Sequence, residues 1–151
     1  MGKIIKNFVD TDIYRTSSKL FSSVYSRIKN CEVDVKKTVG ESLLNNICKC
    51  GEYAKLSYNN GKDDKKRKLI YMIKARCYAS MAEFDLNIMV SSGAFPGKKK
   101  SNEDDYIYIC GGSEISMYFG ELVMQLDSFI SSLEKNFTKE EINDIYECIE
   151  L

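Results

Sequence analysis

Between Ile115 and Leu133 the large apolar side chains fall at Ile115, Phe119, Leu122, Leu126, Phe129 and Leu133, in steps of four, three, four, three and four. That alternation follows one face of an α-helix and makes a heptad-like seam, suited to near-parallel packing against other helices. A helix with one such seam has to bury it. The fold therefore follows from which other segments can supply matching helices.

Three further segments do so. Ile13, Leu20, Phe21, Val24, Tyr25 and Ile28 recur at helical spacing, and so do Val35, Val39, Leu43, Ile47, Cys50 and Ala54, with Asp34 placed to cap the second run. Asn59-Asn60-Gly61 breaks the chain, and Asp63 or Asp64 can cap a third helix carrying Ile70, Ile73, Cys77, Met81, Phe84 and Ile88 on one stripe. Thr138 and Glu141 form a capping box opening a short last helix with Ile142, Ile145 and Ile149. The segment 93–100 (GAFPGKKK) reads as a loop. Residues 106–109 (YIYI) are strand-like in composition but lack an obvious partner strand, so they read as an extension of the fourth helix interrupted at Gly111-Gly112. The expectation is an all-α, up-down-up-down four-helix bundle forming one domain over 1–151, with helices at 12–30, 34–58, 64–91 and 113–136 and a short helix at 139–150.

Composition agrees with a packed soluble domain. Apolar residues are 44% and charged residues 29% of the 151-residue chain, and one proline, Pro96, leaves long helices uninterrupted. No stretch reaches the roughly 18 apolar residues of a membrane span, and the first ten residues lack the apolar block of a secretory signal, so a cytoplasmic protein is expected. The six cysteines fit that compartment as reduced, small hydrophobic residues. Cys48 and Cys50, two apart on a helix, point to different faces and cannot chelate one metal together.

The residues for common catalytic chemistry are missing. The chain has no histidine, and its nine glycines form neither a phosphate-binding loop nor a dinucleotide fingerprint. The pairs Asp104/Asp105 and Glu140/Glu141 suit helix starts better than acid–base work. Neither an enzyme nor a cofactor or metal is expected.

Charge is informative in its distribution. Net charge is zero, yet residues 1–102 carry +10 and residues 103–151 carry −10. This division suits either a basic surface for an acidic partner or a last helix that neutralises the others. Eight cations fall between Lys55 and Arg76, against only Asp63 and Asp64. Lys65, Lys66, Arg67 and Lys68 open the third helix, where positive charge opposes the helix dipole. They are candidate phosphate contacts, with Tyr53, Tyr58, Tyr71 and Tyr78 available for stacking on bases. Ala75, Ala79 and Ala82 lie opposite the Ile70/Ile73/Phe84 stripe. An outward face of such small residues would admit a second helix closely, making them the candidate oligomer interface, although alanine is also simply a good helix former.

The segment Ala79-Ser80-Met81-Ala82-Glu83-Phe84 is similar to the "G-S-hydrophobic-x-E-hydrophobic" signature of a family of bacterial four-helix bundles. That family contains the rRNA intervening-sequence proteins and the accessory variability determinant (Avd) of diversity-generating retroelements. Asp85 to Gly93 resembles its "x-L-x-hydrophobic-A-x-x-x-G" helix end, Lys36-Lys37-Thr38-Val39-Gly40-Glu41 its "basic-x-T-hydrophobic-G" helix start, and Ile115 to Leu133 its closing helix. Asn30-Cys31 stands where the family has Phe-Pro, and Ala79 where it has Gly. The resemblance covers roughly residues 12–135 and implies a cyclic homo-oligomer, pentameric in the relatives, that binds RNA or DNA through basic surfaces, with Lys65, Lys66, Arg67, Lys68, Lys74 and Arg76, and then Lys36 and Lys37, as its phosphate contacts. In the retroelement branch it implies a non-enzymatic accessory subunit partnering a reverse transcriptase. The rival expectation is a protein–protein interaction adaptor without direct nucleic-acid binding.

Overall fold

The computed structural model describes residues 7–60, 64–92, 97–99, 108–110 and 114–151. After a 3-10 turn at Phe8–Asp10, α1 spans Asp12–Ile28, its first turn capped by the Thr11 hydroxyl accepting from the Tyr14 N–H at 3.2 Å. A short turn, Val33–Val35, and a wide π-helical turn, Lys36–Gly40, lead without a break into α2 at Glu41–Asn59. Helix α3 spans Lys65–Ser91, α4 Glu114–Glu134 and α5 Lys139–Glu147. Strands β1 (Gly97–Lys99) and β2 (Tyr108–Cys110) pair antiparallel, Lys98 opposite Ile109. No helix among the described residues is long and apolar enough to cross a membrane.

The helices pack as a bundle. α1 lies against α2 and α4, α3 lies against the same two, and α2 packs most extensively along α3. Leu20, Val24, Leu43, Cys50, Leu69, Met72, Leu122 and Leu126 are essentially inaccessible to solvent at its centre. The expected seam of α4 points inward, with Ile115, Phe119, Leu122 and Leu126 buried, Ile130 added to them, and Phe129 and Leu133 packed at the margin. At Gly40 an added Cβ would stand 3.1 Å from Ile28 Cγ2 and 3.2 Å from the Val35 carbonyl oxygen, so a larger residue would press on both where the π turn passes the end of α1.

Several expectations need correction. The expected faces of α3 hold only in part: Ile73 is buried and Ile70 and Cys77 pack against the core, but Phe84 is 65% exposed, and Ala75, Ala79 and Ala82 are at most 1% exposed and face the bundle. Small side chains allow α3 to approach its neighbours closely, so the alanine face is an internal seam and is not available to a second subunit. Cys77 and Ile70 are half-buried and Ile73 buried, while Met81 is exposed, so α3 carries a second apolar stripe on its outer side. Asp34 does not cap the second helix. It lies within the first helical turn, which Glu32 precedes without a side-chain cap, and its carbonyl accepts from the Thr38 hydroxyl. Residues 108–110 form a strand rather than a helix extension, because Gly97–Lys99 of the expected loop supplies the partner. The remaining residues of 93–96, 100–107 and 111–113, and Asp63 with them, lie outside the described residues. Helices α1, α4 and α5 stop two to three residues earlier than expected.

The last helix forms as its sequence predicts. Thr138 Oγ1 accepts from the Glu141 N–H at 3.2 Å and Glu141 Oε1 accepts from the Thr138 N–H at 2.9 Å. α5 folds back on α3, burying Ile145 to 2% exposure. Its Tyr146 hydroxyl donates to Glu134 Oε1 at 2.9 Å. Burial first, then that bond and the charges of Glu134, Cys77 and Asp127, push the Tyr146 pKa up to about 12.

Candidate nucleic-acid interface

The basic start of α3 is built by a cap. Asp64 Oδ1 accepts from the Arg67 N–H at 3.0 Å and its Oδ2 lies 3.5 Å from the Arg67 guanidinium, offsetting part of the positive charge at the dipole's positive end. The buried Ser57 hydroxyl donates to the Lys68 carbonyl at 2.7 Å, tying the end of α2 to the first turn of α3. Lys65, Lys66 and Arg67 are exposed, and Lys68 is half-buried. Lys65 Nζ donates to Asn136 Oδ1 at 3.3 Å, which brings the segment between α4 and α5 beside this turn.

From there a stripe runs along α3. Arg67, Tyr71, Lys74 and Tyr78 follow at steps of four, three and four, so all four share the face that borders α2. Tyr53 of α2 completes the surface. Its ring stacks on Tyr78 at 5.5 Å with 8° between planes, leans on Tyr71 at 6.0 Å, and carries Lys74 Nζ over it at 5.4 Å. Cations and half-buried tyrosine rings thus alternate along the line where α2 meets α3. Farther along the same face Asp85, only 8% exposed, accepts at Oδ2 from Ser42 Oγ at 2.7 Å and Asn46 Nδ2 at 2.9 Å. These bonds fix α2 against α3 and hold that line in register.

The other candidates lie apart. Arg76 is on the opposite flank of α3, its Nε donating to Asp127 Oδ1 of α4 at 2.8 Å and its Nη1 to Ser80 Oγ at 2.6 Å. Its charge is already matched, and it joins two helices. Lys36 and Lys37 sit on the π turn at the far end of α2, separated from Lys65 by a helix of roughly 27 Å at about 1.5 Å per residue. Tyr58 packs instead against Phe8 near α1, at 6.1 Å.

Neither thiol with a displaced pKa is tuned for nucleophilic chemistry. Burial pushes Cys50 up to about 12, and burial with the nearby Glu52 carboxylate raises Cys48. Cys31, Cys48, Cys50, Cys77 and Cys148 form no disulfide, and no metal-ligating cluster occurs among the described residues. Comparison with protein-family models, curated proteins and solved structures finds no match to this chain.

Sequence reasoning missed the Ser42–Asn46–Asp85 network. Its signal was an acidic residue within the Phe84 to Val90 apolar run, a position that favours a charge only where donors await it.

Proposed function

We propose that this chain is a non-enzymatic, oligomeric, cytoplasmic four-helix bundle of up-down-up-down topology that binds RNA or DNA as an accessory subunit of a reverse transcriptase. The observation carrying this reading is the Arg67–Tyr71–Lys74–Tyr78 stripe with Tyr53 against it. It sets positive charge for phosphates beside half-buried tyrosine rings, so that a base stacking there displaces Lys74 from Tyr53, and charge beside aromatic rings is the combination that single-stranded nucleic acid needs. The short link over residues 60–64 between α2 and α3, and the way each of the four long helices packs on its neighbours in turn, support the alternating topology. Resemblance to the Avd family supports the pentamer and the reverse transcriptase partner.

The test is a titration of labelled single-stranded RNA and duplex DNA at two salt concentrations. Replacing Lys65, Lys66, Arg67 and Lys74 together by Gln should weaken both ligands and flatten the salt dependence, by about 0.7–0.9 in log–log slope for each phosphate that is no longer neutralised. Tyr53→Leu should weaken the single strand most, by about 1–3 kcal/mol for each base it stacks. A wild type that binds neither ligand would overturn the reading in favour of the protein-interaction adaptor. Exposed Met81 and Phe84 on the outside of α3 favour that second reading.

A further inference from the structure

The bond that ties α5 to α4 fixes which way each flank of α5 faces. Tyr146 turns toward α4, where its hydroxyl donates to Glu134 Oε1 at 2.9 Å. Successive residues stand about 100° apart round a helix, so Asp144, two positions earlier, lies on the flank turned away from α4. Glu140 and Glu147, four residues before it and three after, share that flank, and all three carboxylates are exposed.

Helix α3 divides in the same way. Arg76 marks its flank toward α4 through the bond to Asp127, and Lys74, over the Tyr53 ring, lies on the flank toward α2 with Arg67. With α2 and α4 on those two sides, α5 takes the outer face between them, burying Ile145 there, and Lys65 Nζ meets Asn136 Oδ1 ahead of its first turn. Across α3 from α4 to α2, Tyr146 therefore comes first, then the α5 carboxylates, then Arg67 and Lys74. Among the described residues no ion pair joins these carboxylates to those cations. They face each other at about the spacing of packed helices, roughly 8–10 Å. That is close to the screening length at physiological salt, about 8 Å.

We propose that the carboxylate flank of α5 is an electrostatic wall beside the Arg67–Lys74 stripe, repelling phosphates and setting how tightly the stripe holds a strand. Asp144, between Glu140 and Glu147, is its central residue. The repulsion reaches the strand through solvent, so it is strongest at low salt and fades as salt rises. This inference rests on the stripe being the nucleic-acid site, and it adds what limits the affinity of that site.

The test neutralises the wall and leaves the apolar side of α5 in place. Glu140→Gln, Asp144→Asn and Glu147→Gln are combined, and Glu141 is kept because it closes the capping box. The control combines Glu83→Gln, Glu114→Gln and Glu121→Gln, the same change in net charge placed elsewhere. Glu83 lies roughly 24 Å along α3 from Arg67, and Glu121 roughly 20 Å along α4 from Glu134. Labelled oligouridylate should bind the α5 variant about fivefold more tightly than wild type at low salt, with the gap narrowing as salt rises. The control should stay within about twofold of wild type. Equal binding by wild type and α5 variant overturns the wall, as does a control that gains as much or a gap that salt leaves unchanged. Binding by none of the three proteins instead defeats the nucleic-acid reading itself, and the wall with it. Hydrogen exchange in α5 checks that the helix stays docked. Should the triple variant lose it, Asp144→Asn alone decides, with a gain of about twofold expected at low salt.

Discussion

Helices α3 and α4 carry equally regular stripes of large apolar side chains, and the two stripes point in opposite directions. On α4 the stripe of Ile115, Phe119, Leu122 and Leu126 is the buried face. On α3 the large residues Met81 and Phe84 look outward, and Ala75, Ala79 and Ala82 lie inside among Leu69, Met72, Ile73, Leu86 and Met89. The difference lies in what each opposite face offers. The outer side of α4 carries Gly120, Glu121, Asp127 and Ser131, so only one face can go inside. Helix α3 sets apolar residues on more than one face between its cations, and its choice is made by its neighbours. Close approach to α2 favours the small side, and α5 supplies separate cover for part of the large one.

That comparison can be broken most severely at Ala79. Ala79→Glu should cost at least about 3–5 kcal/mol, or abolish cooperative unfolding, since it buries an unpaired charge in the seam. A urea titration showing less than about 1 kcal/mol would return the alanine face to the outside. Next comes Leu126→Ala, which leaves a cavity in the α4 seam and should lower stability by roughly 2–5 kcal/mol with an unchanged denaturant slope. Ile145→Ala should cost about 2 kcal/mol, less than a core deletion, because α5 can detach locally while the bundle holds. Hydrogen exchange should then quicken in α5 and leave α4 as it was. The smallest effect belongs to Phe84→Ser. Thermal melts should place it within about 0.5 kcal/mol of wild type, although the same residue looks central when the sequence is read alone.

Where sequence and structure agree, the signals are local. The α4 seam, the Asp64 cap and the Thr138–Glu141 box each rest on residues three or four apart, where helix geometry alone decides what meets. Where they part, the deciding partner is distant. Arg76 reads as a free cation until Asp127, 51 residues later, closes on it. Asp85 depends on Ser42 and Asn46, 43 and 39 residues earlier. Tyr53 joins Tyr71 and Tyr78 only because α2 and α3 lie side by side, and Tyr58, five residues on, falls to another face. The partner of residues 108–110 was hidden for a different reason. Gly97-Lys98-Lys99 has none of the β-branched or aromatic character of a strand, and backbone pairing alone recruits it.

The outer stripe of α3 also has a history during synthesis. Cys77 leaves the ribosome 68 residues before Ile145, the α5 residue buried where α5 packs on α3. At about 5–20 residues per second, that interval lasts roughly 3 to 14 s. By then α2 has already emerged and can shelter the alanine side, so the nascent chain shows its hydrophobic surface at Ile70, Cys77, Met81 and Phe84. Aggregation during translation should therefore respond to substitutions at Phe84 far more than equilibrium stability does. A residue nearly silent in a melting curve would then govern how much protein a cell accumulates.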